Sequence, residues 1–273
     1  MESYLINREG KKVFYRVQGE GKPLVLIHGI MVDADFFDLS AQYLSHYYKV
    51  ITYDRRGYSR SEACDSYNLE HQSNDLEDII NTLADGKAII VGCSAGGIIS
   101  LYFTSRHTEM VEHVYVHEPP LICFDGSTTE EEQKWLTEIN EYRVAGKYRK
   151  GLHHFMSGIS SINYDERTRP YSFEKIDMQL KNGLVFIKDE YEEEFLNTKE
   201  IYHFDTLKEF GKITCLVGDS SPNSYTVNAT KELAKFLGKD VFYIPGRHNS
   251  AHDMPKEFSA SILGLLFLGD YYE

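Results

Sequence analysis

Apolar and polar positions change their pattern early in the chain. Residues 4–7 and 12–18 have β-like patterns and are separated by a glycine-containing turn, so this segment predicts an antiparallel hairpin. The runs that follow are short and continuously apolar, as expected of parallel strands covered on both faces. They comprise residues 23–27, 50–53 and 88–91, and later 111–117, 213–217 and 241–244.

Helical spacing of apolar residues appears between most of these runs. Strand–helix–strand alternation is typical of βαβ units. We therefore predict an α/β fold in which helices flank a mostly parallel central sheet.

The interval 121–210 breaks this alternation, because it is charged and helical in pattern without an obvious buried strand. Its helical patterns cover residues 130–144, 148–156, 173–180 and 190–196. We predict one core domain built from residues 1–120 and 211–273, with an inserted helical cap subdomain at 121–210.

Composition narrows the class of protein. The chain has 273 residues, 42% of them hydrophobic, which suits a soluble protein with a sizeable core. Its net charge of −13 disfavours nucleic acid and anionic membranes as partners. We expect a cytoplasmic protein, since neither a signal peptide nor a membrane span is evident. Four scattered cysteines without a C-x-x-C pair indicate neither a zinc site nor a disulfide framework.

The strongest chemical signal is Gly92-Cys93-Ser94-Ala95-Gly96, a G-x-S-x-G pattern directly after an apolar strand and directly before a helix. So sharp a turn strains the backbone of the serine, and side chains at the two glycines would collide with the adjacent strand and helix. Ser94 would then project from the carboxyl edge of the sheet, where α/β folds bind ligands. We interpret Ser94 as a nucleophile.

A second glycine turn, His28-Gly29-Ile30, also stands at a strand end. Gly29 permits a tight turn that would aim the backbone N–H of Ile30 towards Ser94. With the N–H of Ala95, it would hold the negative oxygen of a tetrahedral intermediate. We interpret His28 as a structural side chain that hydrogen-bonds loops.

The general base is expected late in the chain. His248 directly follows a strand and a glycine turn. An imidazole with a pKa of about 6.5 can accept the serine proton and return it to a leaving group at neutral pH. His252, four residues on, is the alternative base, and its other interpretation is a histidine of a loop or pocket wall.

Together these residues make the chain resemble a member of the α/β-hydrolase superfamily over its whole length. The matching motifs are His28-Gly29, Asp54-Arg55-Arg56-Gly57-Tyr58-Ser59, Gly92-Cys93-Ser94-Ala95-Gly96, and Gly246-Arg247-His248 with Pro255 seven residues later. The resemblance implies the α/β-hydrolase fold, a helical cap over the nucleophile, and His248 as the catalytic histidine.

The carboxylate that would pair with the catalytic histidine departs from the commonest family pattern. In that pattern an aspartate follows the late strand in a G-x-x-D arrangement. Ser221 stands at that position, and Asp219 lies two residues earlier. Some family members instead place a glutamate after the preceding strand, and Glu118, 24 residues beyond Ser94, fits that spacing. A buried carboxylate there needs a partner, which an imidazole N–H supplies. We predict Glu118 as the acid, with Asp219 as the alternative.

The resemblance implies a cofactor-free serine hydrolase of small carboxylic esters, lactones or thioesters. The same triad would serve a C–C bond or amide hydrolase, and the same fold a receptor that binds a ligand without turnover. Residues 121–210 carry 18 acidic and 12 basic residues, so we expect a neutral or cationic, partly apolar substrate. The chain is expected to be a monomer or a homodimer.

Overall fold

The computed structural model describes residues 2–163, 173–192 and 199–272. Eight strands form one sheet: β1 (Glu2–Ile6), β2 (Lys12–Gln18), β3 (Pro23–Ile27), β4 (Lys49–Tyr53), β5 (Ala88–Cys93), β6 (Val111–His117), β7 (Ile213–Gly218) and β8 (Val241–Ile244). Their order is β1-β2-β4-β3-β5-β6-β7-β8. β2 is antiparallel to both of its neighbours, and every other pair is parallel. The predicted mostly parallel sheet is confirmed.

Among the described residues, α-helices lie on both faces of the sheet and in the segment between β6 and β7. They are α1 (Asp38–Leu44), α2 (Leu69–Leu83), α3 (Ala95–Thr104), α4 (Glu130–Val144), α5 (Tyr148–Asn163), α6 (Phe173–Val185), α7 (Phe204–Phe210), α8 (Tyr225–Leu237), α9 (Ser250–Asp253) and α10 (Pro255–Tyr272). In the described part of the chain, no helix combines the length and apolar character needed to cross a bilayer.

The apolar strands pack on both sides because successive side chains point to opposite faces. In β3, Val25 and Ile27 join the core under α2, α3 and α8, whereas Leu24 and Leu26 join the core under α1 and α10. All four side chains are fully buried. A strand covered in this way reads as a continuous apolar run, which is why alternation is lost after the hairpin.

Residues 121–210, called the helical excursion below, lie between β6 and β7. The excursion contains α4, α5, α6 and α7, and α6 passes into a π-helical turn at Phe186–Glu190. Its first helix begins with a capping box, in which the Thr129 and Glu132 side chains and backbones bond reciprocally. The helical pattern at 190–196 begins at the end of this π-helical turn, and its residues 193–196 lie outside the described residues.

A third apolar cluster joins the excursion to the core. Met31, from the loop after β3, packs there with Leu152, Phe155 and Phe186 of the excursion, and with Tyr225 at the start of α8. The excursion is therefore packed against the loop that carries Ile30.

Candidate active site

Ser94 lies on the sharp turn between β5 and α3. Its backbone has φ 54° and ψ −124°, and its N–H donates to the His117 carbonyl at 2.9 Å. A Cβ on Gly92 would lie 2.3 Å from the Gly96 carbonyl oxygen, and a Cβ on Gly96 would lie 2.1 Å from that of Ile27. Both glycines are therefore required for strand and helix to approach so closely. The strain at Ser94 is held by the packing around it.

The loop after β3 runs directly beside this serine. A Cβ added to Gly29 would lie 2.9 Å from Ser94 Cβ, so only glycine at position 29 leaves room for the Ser94 side chain. The N–H of Ala95 is the first of α3, and such groups have no acceptor within their own helix. The Ala95 N–H, directly after Ser94, is thus available to bind a ligand. The Ile30 N–H belongs to the peptide that links Gly29 to Ile30, and Gly29 lies against Ser94.

His28 holds that peptide in place. Its Nε2 accepts from the Arg55 N–H at 3.0 Å, so the ring proton is on Nδ1, which donates to the Gly29 carbonyl at 2.7 Å. Complete burial, with the nearby Arg55 charge, lowers the pKa of His28 to about 3, which keeps the imidazole neutral. His28 therefore ties the loops after β3 and β4 together, as expected from the sequence.

Glu118 and His248 meet at the neighbouring strand end. Glu118 directly follows β6 with φ 48°, and its N–H donates to the Leu216 carbonyl at 3.1 Å. His248 Nδ1 lies 2.8 Å from Glu118 Oε2. Since a carboxylate only accepts, Nδ1 carries the proton and Nε2 is left to accept one. The Glu118 side chain is fully buried, and that of His248 is 11% exposed.

Three further donors surround the Glu118 carboxylate. Oε1 accepts from Gly218 N–H at 3.0 Å and from Ser221 Oγ at 2.5 Å, and Oε2 accepts from Thr226 Oγ1 at 3.3 Å. Burial alone would raise the pKa of Glu118, but the His248 hydrogen bond, the nearby imidazoles and Ser221 outweigh it and lower the pKa to about 2. The carboxylate is therefore ionised at neutral pH.

The alternative acid and the alternative base lie elsewhere. Asp219 Oδ1 accepts from Gly246 N–H at 3.0 Å and from Ser220 Oγ at 2.8 Å, which braces the glycine turn before His248. His252 Nδ1 lies 2.8 Å from Asp253 Oδ1, and its ring stacks on Phe36. Among the described residues, Glu118 is the carboxylate hydrogen-bonded to His248.

Sequence reasoning missed three polar residues around Glu118. Ser221 could have been found, because it occupies the position where the family pattern has an aspartate, whereas Thr226 had no such signal. His117 is fully buried, with Nε2 3.9 Å from Glu118 Oε1, and neither ring nitrogen has a hydrogen-bond partner in the described part of the chain. Burial lowers the pKa of His117 to about 4.

The arrangement brings together a strained serine and a histidine oriented by a carboxylate. Ser94 N–H bonds to the residue directly before Glu118, so the serine and the acid lie at adjacent strand ends. No hydrogen bond between Ser94 Oγ and His248 is present among the described residues, and catalytic hydrogen bonds are commonly long before substrate binds. Such a site can form and break an acyl bond on a serine.

Comparison with known proteins defines the class. A family model described as alpha/beta hydrolase fold matches residues 22–142. The uncharacterized hydrolase YraK of Bacillus subtilis (strain 168) is 27% identical over 267 residues, which are 94% of this chain and 93% of that protein.

Solved structures show the same fold. An alpha/beta hydrolase from Sphaerobacter thermophilus DSM 20745 has a TM-score of 0.74 at 18% identity, covering 97% of this chain and 100% of its own. A thermophilic esterase from Thermogutta terrifontis has a TM-score of 0.73 at 19% identity, covering 97% and 98%. The chain has the α/β-hydrolase fold, and the predicted fold class is confirmed. The similarity to the family model and to YraK supports a hydrolase with this fold.

Proposed function

We propose that the protein is a serine hydrolase that cleaves small carboxylic esters, lactones or thioesters through an acyl-enzyme on Ser94. The proposal is carried by one observation. Ser94 stands on a strained turn at φ 54°, and the adjacent strand end carries Glu118, which is 2.8 Å from His248 Nδ1. The esterase of T. terrifontis, similar in fold, adds support for ester cleavage.

Acylation follows from these positions. Ser94 Oγ attacks the acyl carbon while His248 Nε2 takes its proton, and the carbonyl electron pair moves onto oxygen. The N–H groups of Ile30 and Ala95 hold this oxyanion. Glu118 keeps the imidazole oriented and stabilises its positive charge. The intermediate then expels the alcohol or thiol, which receives the proton from His248.

Deacylation repeats the sequence with water. His248 takes a proton from the attacking water, the second tetrahedral intermediate forms at the same two N–H groups, and Ser94 Oγ leaves as the proton returns to it. All steps use side-chain and backbone groups of this chain. No cofactor is required.

We further propose that the helical excursion acts as a cap that selects the substrate. Its apolar cluster reaches the loop next to Ser94 through Met31, and Leu152 and Phe155 lie in the same cluster. An apolar wall beside the nucleophile favours acyl groups with some apolar character over strongly polar ones. A series of p-nitrophenyl esters of increasing acyl length measures which length fits.

The test compares Ser94→Ala with Ser105→Ala, a serine at the opposite end of α3 whose Oγ donates to the Tyr102 carbonyl. We expect Ser94→Ala to lower kcat for a p-nitrophenyl ester by about four to six orders of magnitude. It should also abolish covalent labelling by a fluorophosphonate, measured by intact-protein mass. Ser105→Ala should retain both properties.

Two outcomes would contradict the proposal. Near-normal ester turnover by a clean preparation of Ser94→Ala would remove Ser94 from the mechanism. Labelling of the wild-type protein without turnover of any ester, lactone or thioester would favour the receptor instead.

A further inference from the structure

A buried carboxylate of the excursion bonds to a loop of the core. Glu190, at the end of the π-helical turn, is fully buried and accepts from Arg55 Nη2 at 2.8 Å. It also accepts from Tyr58 Oη at 2.6 Å and from Gln72 Nε2 at 2.8 Å. All of these partners are donors, which suits an ionised carboxylate. Arg55 and Tyr58 belong to the loop after β4, so this cluster joins the excursion to that loop.

The hydrogen bonds continue from Arg55 towards the nucleophile. Its backbone N–H donates to His28 Nε2 at 3.0 Å, and His28 Nδ1 donates to the Gly29 carbonyl at 2.7 Å. The Gly29 carbonyl and the Ile30 N–H belong to one planar trans peptide and point in opposite directions. Fixing the carbonyl therefore fixes the direction of the Ile30 N–H. Through Arg55 and His28, Glu190 is connected to the peptide beside Ser94.

A second polar side chain of the excursion bonds to both the loop after β3 and the loop after β4. Asn182, on α6, is 2% exposed. Its Nδ2 donates to the Val32 carbonyl at 3.2 Å, and its Oδ1 accepts from the Ser59 N–H at 3.0 Å. Between Ile30 and Val32, Met31 has φ 65°, a conformation that a non-glycine residue adopts only when neighbouring contacts hold it.

We propose that Glu190 is a positioning residue for the oxyanion site, because it anchors Arg55 and thereby holds His28 and the Gly29–Ile30 peptide. This proposal rests on the function proposed above, in which the Ile30 N–H stabilises the oxyanion. Among the described residues Glu190 has no hydrogen bond to Ser94 or His248, so it acts through its partners, of which Arg55 has the backbone N–H that donates to His28. The oxyanion site is thus complete only when the excursion is seated.

A buried ion pair between two segments carries a large desolvation penalty, because both charges are removed from water. Replacing such a pair with apolar side chains of similar volume is often neutral or stabilising. The contribution of the Glu190–Arg55 pair is to fix the orientation of both side chains. The Glu190 carboxylate accepts hydrogen bonds from Arg55, Tyr58 and Gln72 at the same time, which holds it in one position. A fixed direction matters here because a small misplacement of a group that stabilises the transition state costs much of its effect.

The test uses Glu190→Gln and the double variant Arg55→Met/Glu190→Met, which removes both charges and so avoids an unpaired buried ion. The matched control is Tyr191→Phe, which deletes the buried hydrogen bond from Tyr191 Oη to the Leu136 carbonyl within the excursion. Two quantities are measured: hydrogen exchange of the amides at residues 28–32, and the ratio of kcat/KM for an oxoester to that for its thionoester. The ratio reports the oxyanion hydrogen bonds, because sulfur is the weaker acceptor.

We expect faster exchange at residues 28–32 in both Glu190 variants and an oxoester-to-thionoester ratio lower by about ten-fold or more. Tyr191→Phe should change neither quantity. Unchanged exchange and ratio in a folded Glu190 variant, or equal changes in Tyr191→Phe, would overturn the proposal. If the wild-type protein hydrolyses neither ester, the proposed function fails, and the exchange comparison alone then decides whether Glu190 holds the loop.

Discussion

The carboxyl edge of the sheet and the helical excursion hold their polar groups by different means. At the edge, backbone register does most of the positioning: Ser94 N–H bonds to the His117 carbonyl, and Glu118 N–H bonds to the Leu216 carbonyl. The excursion is joined to the core by side chains, such as Glu190 to Tyr58, which are 132 positions apart in the sequence.

This difference separates two tasks. Residues placed by strand register are in position whenever the sheet is formed, which suits groups that make and break bonds. Residues placed by long-range side-chain contacts depend on how the helices are seated, which suits the choice of substrate. Changes at the edge should therefore act mainly on kcat, whereas changes in the excursion should act on substrate preference and, at Glu190, on the oxyanion site.

The largest effect in this comparison is expected at the acid. Glu118→Gln keeps the size of the side chain but lets an amide N–H face the histidine, which favours the wrong tautomer. We expect kcat for a p-nitrophenyl ester to fall by about 10³–10⁴-fold. Asp219→Asn should cost less than about ten-fold, because its carboxylate braces Gly246 and has no hydrogen bond to His248 among the described residues. The reverse ranking would assign the acid to Asp219.

The same contrast decides what the sequence could predict. Ser94, Glu118 and His248 each come after a strand, so the apolar runs and short motifs, together with the family resemblance in the case of Glu118, predicted all three as site residues. Glu190 and Asn182 carried no such signal, because a polar residue in a helical pattern is normally on an exposed face. The π-helical turn at Phe186–Glu190 was also missed, since the buried contacts of Glu190 are with residues far away in the chain.

A medium effect is expected on stability at acid pH. His28 and His117 are buried with pKa values of about 3 and about 4, below the ordinary value of 6.5. In the unfolded chain each histidine binds a proton once the pH falls below about 6.5. In the folded chain each binds a proton only when the pH falls to its lowered pKa. Stability is therefore lost as pH falls from about 6.5 towards 4, by roughly 1.4 kcal/mol per pH unit for each histidine. Glu118, with its pKa lowered to about 2, adds a further loss between about pH 4.5 and 2.

His117→Asn should remove about half of the pH dependence between pH 6.5 and 4. Urea unfolding at several pH values gives the free energy of unfolding and hence the slope. His153→Asn, at an exposed position of the excursion, is the control and should leave the slope unchanged. An equal slope in His117→Asn and the wild-type protein would show that His117 is not a source of the acid sensitivity.

The smallest effect concerns the charge of the excursion, which carries 18 acidic and 12 basic residues. Such charge should favour a cationic p-nitrophenyl ester over an anionic one by about two- to three-fold at 10 mM salt, and the preference should fade as salt shortens the screening length. Glu131 and Glu70 are matched sites, both exposed and both in the first turn of a helix, α4 and α2 respectively. Because only Glu131 belongs to the excursion, Glu131→Lys should weaken the preference more than Glu70→Lys does. If the anionic ester is the better substrate at low salt, the charges are a solvated surface and substrate choice rests on the apolar cluster at Met31 alone.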